Sequence, residues 1–115
     1  MKSYSKYKAK RTELDGIMFA SKAEAKHYAK LKQMEQAKLI HSLKLQPAYN
    51  LKSLSGAVIS QYIADFSYCY ADNMFVLEDV KGVRTPMFNL KKKWFEADYA
   101  PLKITLVGKQ KKKKL

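Results

Sequence analysis

The sequence predicts an α/β fold in which a mixed β-sheet is flanked by helices. Three observations predict it. A helix with a capping-box start opens the body of the chain, and two strand patterns then meet at the turn Ala71-Asp72-Asn73. A second helix, begun by Thr85-Pro86, leads into a last strand. The resulting order is α-β-β-β-α-β.

Residues 1–11 (MKSYSKYKAKR) mix lysines with Tyr4 and Tyr7 without a period and read as a basic N-terminal arm. Residues 12–108 form the single domain, and residues 109–115 (KQKKKKL) are a basic C-terminal tail. The first helix is expected from about Ser21 to Lys38. Ser21 and Glu24 match the capping box, and Tyr28, Leu31 and Met34 form one stripe with Glu24 on the same face. Leu43 to Leu51 is extended but contains Pro47, which argues for an edge position or a break. After a turn at Leu54-Ser55-Gly56-Ala57, one long strand is expected from Ala57 to Tyr70. Its even positions (Tyr62, Ala64, Phe66, Tyr68, Tyr70) make an aromatic face, and its odd positions (Gln61, Asp65, Ser67) a wetter one. Met74 to Lys81 returns as a strand. In the helix after it, Met87, Leu90, Trp94 and Ala97 share the apolar side, widened by Phe88 and Phe95, with Asn89, Lys92, Lys93 and Glu96 opposite. Lys103 to Val107 is the last strand.

At 115 residues the chain has room for one modest core. Its formal charge of +13, from 23 Lys and Arg against 10 Asp and Glu, favours a polyanion, of which nucleic acid is the commonest. Charge alone fits a merely basic surface equally well and is silent on catalysis. Cys69 is the sole cysteine and reads as a small core residue; with only His27 and His41 beside it, a zinc site is not expected. No apolar run approaches the ~18 residues of a membrane span, so a cytoplasmic protein is expected.

The chemistry concentrates in Tyr62-Ile63-Ala64-Asp65-Phe66 and Glu78-Asp79-Val80-Lys81-Gly82. On a strand, Asp79 and Lys81 share a face roughly 6.6 Å apart. Charges placed among apolar neighbours are costly unless paired or bound to an ion. Asp65 and Asp79 can supply two carboxylates to Mg²⁺, the carbonyl of Val80 a further oxygen, and Lys81 can orient or deprotonate a water or stabilise a phosphoryl transition state. Glu24 reaches the same ion if the first turn of its helix packs on these strands. Other readings stand beside these. Glu24 reads equally as a capping acid, and Asp79 and Lys81 as a simple ion pair. Glu78 points to the opposite face, as a solvated or helix-facing residue. Gln61 is at best a neighbour of the site, and His27 and His41 read as surface residues. The aromatic stripe reads as core rather than as a base-stacking platform.

This set of elements resembles the PD-(D/E)xK nuclease superfamily, with Ala64-Asp65 in place of the usual Pro-Asp and Asp79-Val80-Lys81 as (D/E)xK. The segments FASKAEAKHYAKL, YIADFSY and EDVKGVRTP look like a family of small phage proteins assigned to that superfamily. The resemblance covers residues 11–107. It implies a restriction-endonuclease-like αβββαβ core and a Mg²⁺-dependent endodeoxyribonuclease, with Mn²⁺ able to substitute. Glu24, Asp65 and Asp79 would be metal ligands and Lys81 the catalytic lysine. A small basic domain without a specificity module looks more like a junction resolvase than a restriction enzyme, which implies a homodimer acting on DNA. Phosphate contacts are expected from Arg84, Lys91, Lys92, Lys93 and both basic ends. A non-catalytic nucleic-acid-binding domain that retains the fold, and an assembly protein that packs near DNA, are the alternatives from other classes.

Overall fold

In the computed structural model, which describes residues 10–108, a hairpin precedes the first helix. Strands β1 (Thr12–Leu14) and β2 (Ile17–Phe19) pair antiparallel around Asp15-Gly16, with φ of 54° and 73°. Two consecutive left-handed residues give the turn whose twist matches paired strands, and Asp-Gly is its usual sequence. No element expected from the sequence corresponds to this hairpin. Helix α1 (Lys22–Gln36) then starts at Ser21, whose Oγ accepts from the Glu24 N–H at 3.1 Å. It buries Glu24, Tyr28 and Leu31 of the expected stripe together with Ala25, while Met34 is partly buried.

The two long extended segments each break in two. Leu43 to Leu51 divides between β3 (Ile40–Leu45) and β4 (Ala48–Lys52), and Ala57 to Tyr70 between β5 (Val58–Ile63) and β6 (Phe66–Tyr70). Both breaks fall at one level. Leu45 pairs with Phe66 below it and Ala48 with Ile63 above it. Gln46 N–H donates to the Asp65 carbonyl and Ala64 N–H to the Pro47 carbonyl, each at 3.0 Å, so pairing survives around the corner. Pro47 has no N–H to give the ladder and Gln46 has φ of 52°, which explains where the strand turns. The β4–β5 half leaves as a separate two-stranded ribbon.

The main sheet has the order β3-β6-β7-β8, where β7 is Phe75–Val80 and β8 is Ile104–Val107. Its first three strands are antiparallel; β8 runs parallel to β7 after a crossover through α2 (Pro86–Asp98). This is an α/β fold with a mixed sheet and two helices, as expected. Thr85 Oγ1 caps α2 by accepting from Phe88 N–H at 3.1 Å, with Pro86 in the first turn.

Successive residues of β7 face different cores. Val76 and Val80 pack with Phe19, Tyr28, Leu31, Phe66 and Tyr68 beneath α1; Leu77 packs with Leu51, Tyr62, Phe88 and Phe95 beneath α2. Phe88 and Phe95, seven residues apart, form the buried line of α2, and truncating Phe95 to Ala would cost about 3–5 kcal/mol. Met87 and Leu90, expected on that side, are 61% and 55% exposed. Ser67 is buried rather than wet, because its face of the sheet meets the second core. Among the described residues no helix is long and apolar enough to cross a membrane.

Candidate active site

Asp65 occupies the corner between β5 and β6. Its N–H donates to the Glu78 carbonyl at 3.1 Å and its own carbonyl accepts from Gln46, so its backbone is held from both sides. The side chain folds over the end of β7, where Oδ2 accepts the Val80 N–H at 2.7 Å. The structure thus engages Val80 through its amide. Asp79, 2% exposed, lies on the α2 side of β7, and Tyr62 Oη donates to its Oδ2 at 2.5 Å. Its other oxygen, Oδ1, is 3.3 Å from Lys81 Nζ, an ion pair that lacks hydrogen-bond geometry. Among the described residues, no hydrogen bond satisfies that buried oxygen.

Lys81 shares the Asp79 face, as the strand period requires, and its ammonium lies 4.7 Å above the Phe88 ring. Its N–H donates to the Val107 carbonyl, and a Cβ at Gly108 would stand only 3.1 Å from its carbonyl oxygen. Glycine at 108, with φ of 110°, therefore lets the end of β8 approach the lysine backbone. Glu24 is buried in the first turn of α1, and its carboxyl interacts with that of Asp65. Only half of the capping box forms at Ser21, and the glutamate side chain serves the cluster.

Glu24 thus interacts with Asp65, Asp65 with Asp79 and Asp79 with Lys81, a line of contacts from the start of α1 past the hairpin corner to the end of β7. Burial pushes the Asp65 carboxyl up to about 6; the Val80 N–H opposes the rise and Glu24 adds to it. Burial also pushes Asp79 up to about 6, against the Tyr62 hydrogen bond and Lys81 and with help from Asp65. Burial and the adjacent carboxylate drive the Tyr62 hydroxyl far above its ordinary value, so it remains a donor. Two half-starved carboxyls side by side are relieved by a cation. Among the described residues no three Asp, Glu, His or Cys side chains form a ready-made metal cage. A hard dication such as Mg²⁺ does not need one, since it keeps waters and takes substrate oxygens beside one or two carboxylates.

Glu78, next in sequence to Asp79, is also buried but points towards α1. His27 Nε2 lies 2.7 Å from its Oε1, and Tyr68 Oη donates to its Oε2 at 2.8 Å. His27 is thus an anchored residue packed near Phe66, not a surface one. Gln61 bonds Asn50 on the ribbon and His41 bonds Ser42 and Asn73, both outside the cluster. Tyr62 was missed as a site residue. Its signal was a tyrosine at a buried position, whose hydroxyl must find a partner.

Among the basic candidates, Arg84 and Lys93 are exposed and Lys91 half-buried. Arg84 Nε donates to Asn89 Oδ1 at 2.8 Å. Lys92, placed by sequence on the solvent side, is instead 3.0 Å from Glu96 Oε2, which also accepts from Ile104 N–H. Its charge is partly committed to joining α2 and β8. Residues 1–9 and 109–115 of the basic ends lie outside the described residues. No curated protein and no solved structure matches the chain. Residues 4–114 match the family described as "Protein of unknown function (DUF1064)", and the chain belongs to that family.

Proposed function

We propose that the chain is a Mg²⁺-dependent endodeoxyribonuclease with a PD-(D/E)xK core, structure-specific in the manner of a junction resolvase. One observation carries this reading: among the described residues, Asp79 Oδ1 is a buried carboxylate oxygen without a hydrogen bond, beside a second raised carboxyl and a lysine. The topology supports it. α1, the meander β3-β6-β7, α2 and the parallel β8 follow the α-β-β-β-α-β order, with the β4–β5 ribbon as an elaboration of the hairpin.

The donors are hard oxygens and fit a hard dication: Glu24, Asp65 and Asp79 as carboxylate ligands and the Val80 carbonyl as a backbone oxygen. When bound, Mg²⁺ would supply charge against the negative charge developing on the phosphoryl oxygens and would acidify an attacking water. The remaining work falls to the chain. The Val80 N–H fixes the Asp65 carboxylate and Tyr62 fixes that of Asp79. Lys81, steadied by Asp79 and the Phe88 ring, orients the attacking water and stabilises charge on the phosphoryl oxygens. The first turn of α1 adds a helix dipole that favours an anion beside Glu24. Arg84, Lys91, Lys93 and the basic ends hold DNA phosphates, with a smaller share from Lys92. One such site per chain and two strands to cut call for a homodimer acting in the cytoplasm.

Incubation with supercoiled plasmid and with a synthetic four-way junction tests the reading. Cleavage with Mg²⁺ or Mn²⁺ and none in EDTA is expected. Tight binding without cleavage under every metal condition would overturn it in favour of a non-catalytic nucleic-acid-binding protein.

A further inference from the structure

We infer that Tyr62 is a positioning residue that decides which oxygen of Asp79 is offered to the ion, an inference that rests on the metal-site reading above. Tyr62 belongs to β5, in the ribbon and not in the main sheet. It reaches Asp79 because the chain turns its corner at Pro47 and Ala64-Asp65 and folds the ribbon over the α2 side of β7. The ring is 3% exposed and wedged 5.5 Å from the Phe95 ring and 6.4 Å from the Phe88 ring. A ring so confined carries its hydroxyl to one place, and that place is Asp79 Oδ2 at 2.5 Å.

A charge-assisted bond this short resists rotation of the carboxylate. With Oδ2 occupied, Oδ1 is turned towards Lys81 and left without a hydrogen bond. Packing alone gives no reason for the hydroxyl: phenylalanine would fill the same space between Phe88 and Phe95. The hydroxyl is explained if the oxygen it leaves free is the one that works.

Partners of metal-bound side chains typically contribute 10–100-fold in metal affinity or activity. In the full-length chain, titrated calorimetrically with Mn²⁺ in the absence of DNA, Tyr62→Phe should bind about tenfold more weakly than wild type. Its melting temperature in EDTA should fall by a few degrees, because the buried Asp79 Oδ2 loses its donor. Phe95→Leu is the packing control: it loosens the same pocket without touching the hydroxyl, so it should melt earlier and keep its Mn²⁺ affinity. Equal affinity in Tyr62→Phe and wild type would reduce Tyr62 to a core residue and leave the nuclease reading standing. Equal losses in Tyr62→Phe and Phe95→Leu would likewise assign the effect to packing. A wild-type chain that neither binds Mn²⁺ nor cuts DNA would overturn the nuclease reading and this inference together.

Discussion

Glu78 and Asp79 are consecutive acids on one strand, 6% and 2% exposed, yet the fold treats them in opposite ways. Glu78 faces α1, where His27 and Tyr68 bond both of its oxygens. Asp79 faces α2, where Tyr62 bonds one oxygen and the other is left to an ion pair of imperfect geometry. Burial of an acid therefore does not mark a functional site by itself. A buried acid whose hydrogen bonds are complete is a structural tie between helix and sheet. One left incomplete beside a second raised carboxyl is a candidate for binding, which is the role proposed for Asp79.

The comparison breaks most sharply on activity. Asp65→Asn, Asp79→Asn and Lys81→Ala should each lower DNA cleavage by about two orders of magnitude or more. DNA affinity in EDTA, followed by fluorescence anisotropy, should change little, because phosphates are held by other basic residues. Unfolding of all three variants by circular dichroism would make the cluster a structural ion pair and erase the contrast.

On stability the two acids should exchange roles. Glu78→Ala strands His27 and Tyr68 and should cost about 3 kcal/mol in denaturant melts. Glu78→Gln keeps most of the hydrogen bonding, should cost about 1 kcal/mol and should cleave near the wild-type rate. Inactivation of Glu78→Gln equal to that of Asp79→Asn would show that the wrong acid of the pair carries the chemistry.

The pH dependence follows from the two raised carboxyls. Below the ordinary value of 3.8 both folded and unfolded chains hold these protons. Between 3.8 and about 6 the unfolded chain has released them while the folded chain keeps them. The unfolded state then binds fewer protons, so the stability contributed by these groups falls across that interval and stays low above it. In EDTA at about pH 8, Asp79→Asn should accordingly be more stable than wild type, by on the order of 2 kcal/mol, and should lose much of this pH slope. A variant less stable than wild type at that pH would place Asp79 with Glu78 among the satisfied acids.

The smallest effect separates helix capping from the site. The cap at Ser21 uses the backbone N–H of residue 24 and glutamine keeps the shape of the side chain, so Glu24→Gln should melt within about 0.5 kcal/mol of wild type. Cleavage should fall by about tenfold. Unchanged cleavage would remove Glu24 from the cluster and leave only Asp65, Asp79 and Lys81.

Both helices were legible in the sequence because Ser21 and the Thr85-Pro86 pair announce their starts. Asp79 and Lys81 were legible as face partners because strand period alone places them. The corner was only half legible. Pro47 signals its own break, whereas the matching break at Ala64-Asp65 is imposed by the partner strand, which no local pattern records. The buried face of α2 was misjudged because Met87, Phe88, Leu90, Trp94 and Phe95 surround the helix, and only the sheet beneath selects Phe88 and Phe95. His27 and Glu78 are 51 residues apart, so nothing near either one marks their bond. The β1–β2 hairpin had a local signal, Asp15-Gly16, but strands of three residues carry too little alternation to be read as such.

Metal-induced stabilisation tests the central claim, that the Asp79 side of β7 is built for an ion, most directly. Thermal unfolding of the wild type and of Asp79→Asn would be compared at about pH 8 in EDTA and in saturating Mg²⁺ or Mn²⁺. A ligand that binds only the folded chain raises its stability by RT ln(1 + [L]/Kd), about 2.7 kcal/mol at a hundredfold excess over Kd. The wild type should gain several degrees with metal and Asp79→Asn should gain almost none. Identical melting of the wild type with and without metal, or the same gain in both chains, would contradict the account.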